Sequence, residues 1–334
     1  MQDDYSRDEE YARNLDEKDP LAGFGERFCV PEGLLYFDGN SLGLPPESAL
    51  KHAENALREW RELGIEGWTE ADPPWFWYGE RLGNKLAPLI GAHEDEVVVA
   101  NTTTVNIHQL FATFYEPTRD RTKVVVDDLD FPTDHYAIRS QMRLHGLDPE
   151  KHLRVVESRD ARTIGEVDII DAIDDEVAVV FLPSVLYRSG QLLDLRRITE
   201  EAHEHGALAG FDIAHSVGVF PHELSDIGVD FAVWCGYKYL NGGPGATAGL
   251  YVNRRHFGTD PGLAGWWGHE KETQFDMNLT FTPAPDAGAW QISTVPVLSS
   301  APLFGSLEMI NEAGIERVRE KSIQLTEYLI SLVD

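Results

Sequence analysis

Cysteine is the scarcest informative residue here. There are two in 334 residues, Cys29 and Cys235, in unrelated contexts and without paired spacing, which excludes a disulfide framework and a zinc knuckle. Lysine is also sparse: it supplies 8 of 28 basic residues against 57 Asp and Glu, for a formal net charge of −29. A surface of that sign repels phosphate backbones and anionic headgroups, so neither nucleic acid nor a membrane surface is an expected partner. No stretch reaches the ~18 apolar residues of a membrane span. The opening MQDDYSRDEEYARNLDEKD lacks the apolar segment of a signal peptide. Internal repeats and low-complexity linkers are missing too. The expectation is a cytoplasmic protein whose carboxylate-rich, lysine-poor surface suits high salt, a halophilic pattern.

What is present is the material of a packed core. Hydrophobic residues make up 42%, with 8 Trp and 15 Phe, which sets the chain apart from acidic disordered sequences. The length suits about two domains. Apolar, β-branched runs at 97–100, 123–126, 177–182, 207–213, 231–236 and 249–252 predict strands buried on both faces. Helical patterns fall at 105–115, 132–144, 163–173 and 194–205. That alternation predicts an α/β fold with a mainly parallel sheet covered on both sides. Cys235, inside an apolar run, is expected as a small core residue. The first fifty residues are loop-rich before a helix at 47–63, and helices at 297–310 and 314–333 follow the last strand. The last pattern runs to the final residue with no cap, which reads as an interruption.

The chemistry concentrates between residues 210 and 249, in GFDIAHSVGVF and FAVWCGYKYLNGGPGATAG. One strand delivers Asp212 at its carboxyl end and the next delivers Lys238, and ligands of open α/β sheets sit outside those ends. A partly desolvated lysine can form a Schiff base with an aldehyde cofactor, while a carboxylate can pair with a protonated pyridine nitrogen. Those are the two anchors of a pyridoxal phosphate enzyme. Alone, Asp212 reads more simply as a turn residue and Lys238 as a solvated cation. The joint run of Asp212, His215, a strand, Tyr237-Lys238 and a glycine-rich segment makes coincidence improbable.

Asn101-Thr102-Thr103-Thr104 follows a strand and opens a helix, a setting that cradles phosphate or merely caps the helix. Phe131, opening FPTDHY at the same sheet edge, is either a ring to stack on the cofactor or a core residue. Asp134 either orients the cofactor or its lysine, or caps the helix. Trp68, Trp266 and Trp267 lie in glycine-flanked loops that suit an aromatic pocket, or close an ordinary core.

In this order, YFDGNSLGLPP, TTTVNIHQLF, FPTDHYA, GFDIAHSVG, CGYKYLN and GWWGHE resemble the motifs of the kynureninase family, from about residue 36 onward. The resemblance implies a pyridoxal phosphate hydrolase of tryptophan catabolism and NAD biosynthesis with the fold-type-I, class V aminotransferase-like architecture. It implies a seven-stranded, mainly parallel sheet in a large domain at 56–296, an N-terminal arm at 1–55 forming part of the small domain, and the start of a C-terminal small domain at 297–334. The expected reaction cleaves L-kynurenine or 3-hydroxykynurenine between Cβ and Cγ, giving anthranilate or 3-hydroxyanthranilate and L-alanine.

Carried over by position, Lys238 would be the Schiff-base lysine and proton carrier, Asp212 the pyridine-nitrogen partner, and Tyr237 a phosphate donor and general acid. Thr103 and Thr104 would hold the phosphate, and Phe131 would stack on the ring. Asp134 and His215 would lie on its hydroxyl side, with Ser184 nearby. Trp266 and Thr294 would reach the site from the second subunit of a homodimer with shared sites. Ser41 and Trp68 would border the substrate's aromatic end. The family usually has Asn where Thr294 stands. Its small domain carries an arginine for the substrate carboxylate, and no residue up to Asp334 matches it. The expectation is therefore a small domain that is incomplete, with catalysis affected more than cofactor binding. Two alternatives stand beside this reading. One is a cysteine desulfurase or other class V aminotransferase-like enzyme, which would place His over the ring and need a mobile Cys. The other is a truncated cofactor-binding protein without turnover.

Overall fold

Short β-branched runs separated by amphipathic segments long enough to cross back over a sheet form a layered α/β structure. The computed structural model describes residues 5–333. Residues 1–4 of the acidic N-terminal segment and Asp334 lie outside the described residues. The chain opens with α1 (Glu9–Lys18), α2 (Glu47–Leu63), α3 (Gly67–Glu70) and α4 (Tyr78–Leu86). It continues through β1 (Val97–Val99), α5 (Thr103–Phe114), β2 (Lys123–Asp127), α6 (Pro132–Leu144), α7 (Pro149–His152) and β3 (Leu153–Val156). Then come α8 (Glu166–Asp171), β4 (Val177–Pro183), α9 (Leu195–Glu204), β5 (Leu208–Asp212), α10 (Leu224–Ile227), β6 (Phe231–Trp234) and β7 (Gly249–Val252). Two long helices follow, α11 (Val297–Ala313) and α12 (Ile315–Val333).

The seven strands form one sheet in the order β1-β7-β6-β5-β4-β2-β3. All pairs from β6 to β3 are parallel, while β7 runs antiparallel to both β1 and β6. Leu182 pairs with Phe211 and Pro183 with Asp212, and Asp212 pairs in turn with Val233. The register therefore ends β4, β5 and β6 on one edge, so the segments that follow them emerge side by side.

Alternation along each strand divides the core in two. Val97, Val99, Val180, Leu182, Phe211 and Trp234 pack against Leu82 and Leu86 of α4, Ile198 of α9 and Leu303 and Leu307 of α11. Val98, Val124, Val126, Val179, Phe181 and Val233 pack against Ile107, Leu110 and Phe111 of α5 and Ile138 and Met142 of α6. Helices on both faces explain why the strands are apolar throughout. Cys235 is buried with the first group. The 55/56 boundary expected between domains falls within α2, and α11 lies along α2, where the Ser48 hydroxyl donates to the Gly305 carbonyl at 2.8 Å. No helix among the described residues is long and apolar enough to cross a membrane.

Candidate functional site

The edge reached by β4, β5 and β6 gathers the charged residues singled out above. Lys238, past the end of β6, has its Nζ 2.7 Å from His215 Nε2 and 5.8 Å from the centroid of the Phe131 ring. Burial, then the adjacent Lys238 charge, pushes the His215 imidazole down to about 4. It is neutral at ordinary pH, so its Nε2 accepts from the lysine. Phe131 immediately precedes α6 and leaves 46% of its surface exposed. Tyr187, which the motif pattern did not single out, joins the two: its ring lies 5.6 Å from Phe131, edge-on, and 5.9 Å from His215.

Asp212 ends β5, and its Oδ1 accepts the Ala214 N–H at 2.7 Å. Asp134, on the first turn of α6, is fully buried; no N–H or hydroxyl donates to either of its carboxylate oxygens, and its side-chain partner is the Asp130 carboxyl. Asp127 and Asp130 from the β2–α6 connection add two further buried carboxyls, each with one unpartnered oxygen. Burial raises Asp134 and Asp130 well above the ordinary carboxylate value. The charge of Asp212 pushes Asp134 further, and that of Asp134 pushes Asp130. Asp212 is also raised by burial, with the Ala214 N–H and Lys238 pulling the other way. Four carboxyls thus share one water-poor region with the lysine at its rim.

The turn after β1 supplies a different chemistry. Asn101 takes a left-handed conformation at φ 52°, and its side chain donates to Asn106 Oδ1 at 2.9 Å, shaping the entry to α5. Thr103 and Thr104 begin α5. The Thr104 hydroxyl lies 2.8 Å from that of Thr133, on the first turn of α6. Two helix N-termini with their hydroxyls therefore meet, a positive and donor-rich position.

Tyr237 is half-buried, and burial followed by the neighbouring Cys235 pushes its phenol up to about 12. Its carbonyl accepts the Gly43 N–H at 2.8 Å, which brings the loop carrying Ser41 against the Lys238 segment. Glycine is required at position 43, because a Cβ there would stand 2.3 Å from the Lys238 carbonyl. Ser41 itself is exposed. Ser184, directly after β4, is buried, and its N–H donates to the Asp212 carbonyl at 2.9 Å.

Trp68, Trp266 and Thr294 lie apart. Trp68 packs edge-on to Trp75 at 5.8 Å and against Trp267 at 5.4 Å. It lines a groove of about 470 Å³ with Trp60, Trp75, Val295 and Leu298. Trp266, 47% exposed, donates its indole N–H to the Gln274 carbonyl at 3.2 Å and touches Trp267 and Phe275. Thr294 is exposed. None of the hydrogen bonds or ring contacts among the described residues links these three to Lys238 within one chain. Beneath the tryptophans, Lys271 is buried against Trp267 and Phe76, at 4.3 and 4.8 Å from the ring centroids, with Glu80 at 3.5 Å. This is a cation held by aromatic faces that only the folded chain brings together.

The class-V aminotransferase family model matches residues 35–334. The chain is 55% identical over 325 residues to a kynureninase of Geobacillus thermodenitrificans, covering 97% of this chain and 76% of that protein. It is 56% identical over 324 residues to a kynureninase of Bacillus cereus, with the same coverage. Among solved structures it resembles the cysteine desulfurase of Thermococcus onnurineus, with a TM-score of 0.71 and 18% identity over 94% of this chain and 74% of that one.

The pyridoxal phosphate of this family suits the residues present. Asp212 offers a buried carboxylate for a protonated ring nitrogen, and Asp134, influenced by its charge, has two buried oxygens that no N–H or hydroxyl of the chain reaches. The half-exposed ring of Phe131 offers a flat face near the Lys238 amine. The meeting of the α5 and α6 N-termini suits a phosphate.

Proposed function

The chain belongs to the class-V aminotransferase family and, within it, to the kynureninases, and from that membership we propose that it hydrolyses L-kynurenine or 3-hydroxykynurenine between Cβ and Cγ. The products are then anthranilate or 3-hydroxyanthranilate, with L-alanine. It is a pyridoxal-phosphate-dependent hydrolase acting on a carbon–carbon bond. When bound, the cofactor supplies an electron sink for charge developing on the substrate carbons.

The observation that carries the residue roles is Lys238 Nζ between the neutral His215 imidazole and the exposed Phe131 ring, beside the buried Asp212. Lys238 holds the cofactor's aldehyde end and later moves a proton at the substrate's Cα. Asp212 supports the pyridine nitrogen. Asp134 lies on the hydroxyl side of the ring, its carboxyl raised by burial and by the Asp212 charge. Tyr237 keeps its phenolic proton throughout the working range, so it can donate to the phosphate or to the departing carbon. Thr103 and Thr104 hold the phosphate, Phe131 stacks on the ring, His215 fixes the lysine, and Ser184 meets the cofactor from the end of β4.

Trp266 and Thr294, exposed and without a hydrogen bond or ring contact to Lys238 on their own chain, complete the partner's site in a homodimer. Ser41 and Trp68 border the aromatic end of the substrate. A large domain at 56–296, an arm at 1–55 and a small-domain segment from 297 are part of the same reading, as are a cytoplasmic location and a salt-adapted surface. The desulfurase alternative is disfavoured: Phe131 stands where that class places His, Cys235 is buried in the core, and the exposed Cys29 sits on a segment tied by its N–H to the Pro45 carbonyl at 2.9 Å.

The test is turnover. Purified protein loaded with pyridoxal phosphate should convert L-kynurenine into equal amounts of anthranilate, followed by fluorescence, and alanine. Sulfide release from cysteine without anthranilate from kynurenine would overturn the assignment.

A further inference from the structure

Behind the Lys238 site lies a buried line of hydrogen bonds that none of these roles uses. His222, between β5 and α10, has its Nε2 2.8 Å from the Ser216 hydroxyl. The Ser216 hydroxyl lies 2.6 Å from that of Ser184, which in turn lies 3.4 Å from the Asp212 carbonyl. Relative exposures are 6%, 1% and 0% for His222, Ser216 and Ser184. At its outer end His222 lines a surface groove of about 600 Å³ with Leu193, Phe220, Glu223 and Ile227. At its inner end Ser184 stands directly past β4, at the edge where β5 delivers Asp212.

Such a line has two self-consistent settings. Burial pushes the His222 imidazole down to about 4, so it is neutral and carries its single proton on one nitrogen or the other. With Nε2 bare, Ser216 donates to His222 and Ser184 donates to Ser216, which leaves Ser184 lone pairs for the crevice. With Nε2 protonated, His222 donates to Ser216. When Ser216 then donates to Ser184 rather than to the Ile213 carbonyl, 3.2 Å away, the Ser184 proton turns away from Ser216, toward the Asp212 carbonyl or the crevice. A mere clip between β4 and β5 would not need the imidazole, because the backbone bond from the Ser184 N–H to the Asp212 carbonyl already makes it.

We propose that His222 is a positioning residue which, through Ser216, sets whether the Ser184 hydroxyl offers a donor or an acceptor to the pyridoxal phosphate at the carboxyl edge of β4 and β5. The inference rests on the reading that Ser184 meets the cofactor, and the experiment separates the two. Full-length apoprotein is titrated with pyridoxal phosphate, recording the dissociation constant and the absorbance of the bound cofactor, for Ser184→Ala, Ser216→Ala, His222→Leu, His222→Gln and the Ser184→Ala/His222→Leu pair.

His222→Leu and Ser216→Ala should each weaken binding about three- to tenfold, the scale of one hydrogen bond, and shift the absorbance maximum. His222→Gln, which can donate or accept, should restore most of the loss. In the Ser184→Ala background His222→Leu should cost nothing more. If Ser184→Ala changes neither affinity nor spectrum, the placement of Ser184 at the cofactor is wrong and the inference falls with it. If Ser184→Ala weakens binding while His222→Leu does not, or costs as much with Ser184 absent, the relay alone is overturned. Should the variants fail to fold, nitrogen NMR of the unmodified protein decides. Adding pyridoxal phosphate should alter the His222 tautomer signature, and an unaltered signature contradicts the relay.

Discussion

Asp127 shows how one residue ties the site's chemistry to stability. Burial raises its carboxyl to about 6 from an ordinary 3.8, with the Leu129 N–H opposing and Asp128 reinforcing the shift. Because the folded value lies above the unfolded one, the contribution is most favourable below about 3.8 and is lost as pH rises through about 6. Asp127→Asn keeps an acceptor for Leu129 and stays neutral at every pH. In cofactor-free protein the variant should be more stable than the parent at pH 7–8, by about 1–3 kcal/mol, with the gap closing toward pH 4. Denaturant unfolding across pH checks this, and a gap independent of pH would contradict it. Gly43 is a second residue with little freedom: Gly43→Ala should displace the Lys238 segment, because the added methyl meets its carbonyl at 2.3 Å. A weaker cofactor dissociation constant at unchanged secondary structure is the expected readout.

Among the elements, the junction of β5, β6 and α9 depends on Asp230. Its Oδ2 accepts the Ala209 N–H at 2.7 Å and lies 2.9 Å from His203 Nε2, while its Oδ1 lies 2.7 Å from both Arg255 and His256. Burial alone would raise this carboxyl, but those partners hold it at about 2. The stabilisation is therefore present above the ordinary carboxylate value and is lost only as pH falls toward 2. Asp230→Ala leaves a buried N–H and several cationic or polar side chains without their acceptor, so it should cost about 3–5 kcal/mol in unfolding free energy. A loss under 1 kcal/mol would show that the clip is dispensable.

The same scale shows what was legible in the sequence. Six of the seven strands announce themselves as continuous apolar runs because helices cover both faces. β3 does not, because it is a four-residue edge strand with Arg154 in its middle, whose guanidinium reaches out to the Ala172 carbonyl and Asp174. The helix predicted at 163–173 is confined to Glu166–Asp171, since its first residues are spent on the turn around Asp160. Asp212, Lys238 and the threonines at the start of α5 could be placed because each follows a strand whose direction the pattern gives. Tyr187, Asp130 and the line from His222 to Ser184 could not, because each depends on which loops meet at the sheet edge. Lys271 in its aromatic surround was hidden for the same reason: Phe76, Glu80 and Trp267 lie on separate stretches of chain.

For the whole molecule the governing quantity is a net charge of −29. Self-repulsion of that size opposes the compact state until salt screens it, and the screening length falls from about 10 Å at 0.1 M to about 3 Å at 1 M. Over that range of KCl the melting temperature should rise by several degrees, and a flat or falling trend would contradict a salt-adapted surface. The central claim concerns one amine among the 8 lysines of the chain. Its most direct test is to load the protein with pyridoxal phosphate, reduce it with borohydride, digest it and locate the attached pyridoxyl group by mass spectrometry. The label is expected on Lys238, with Lys238→Ala abolishing both the label and the visible absorbance. A label on another lysine, or none, would contradict the site described here.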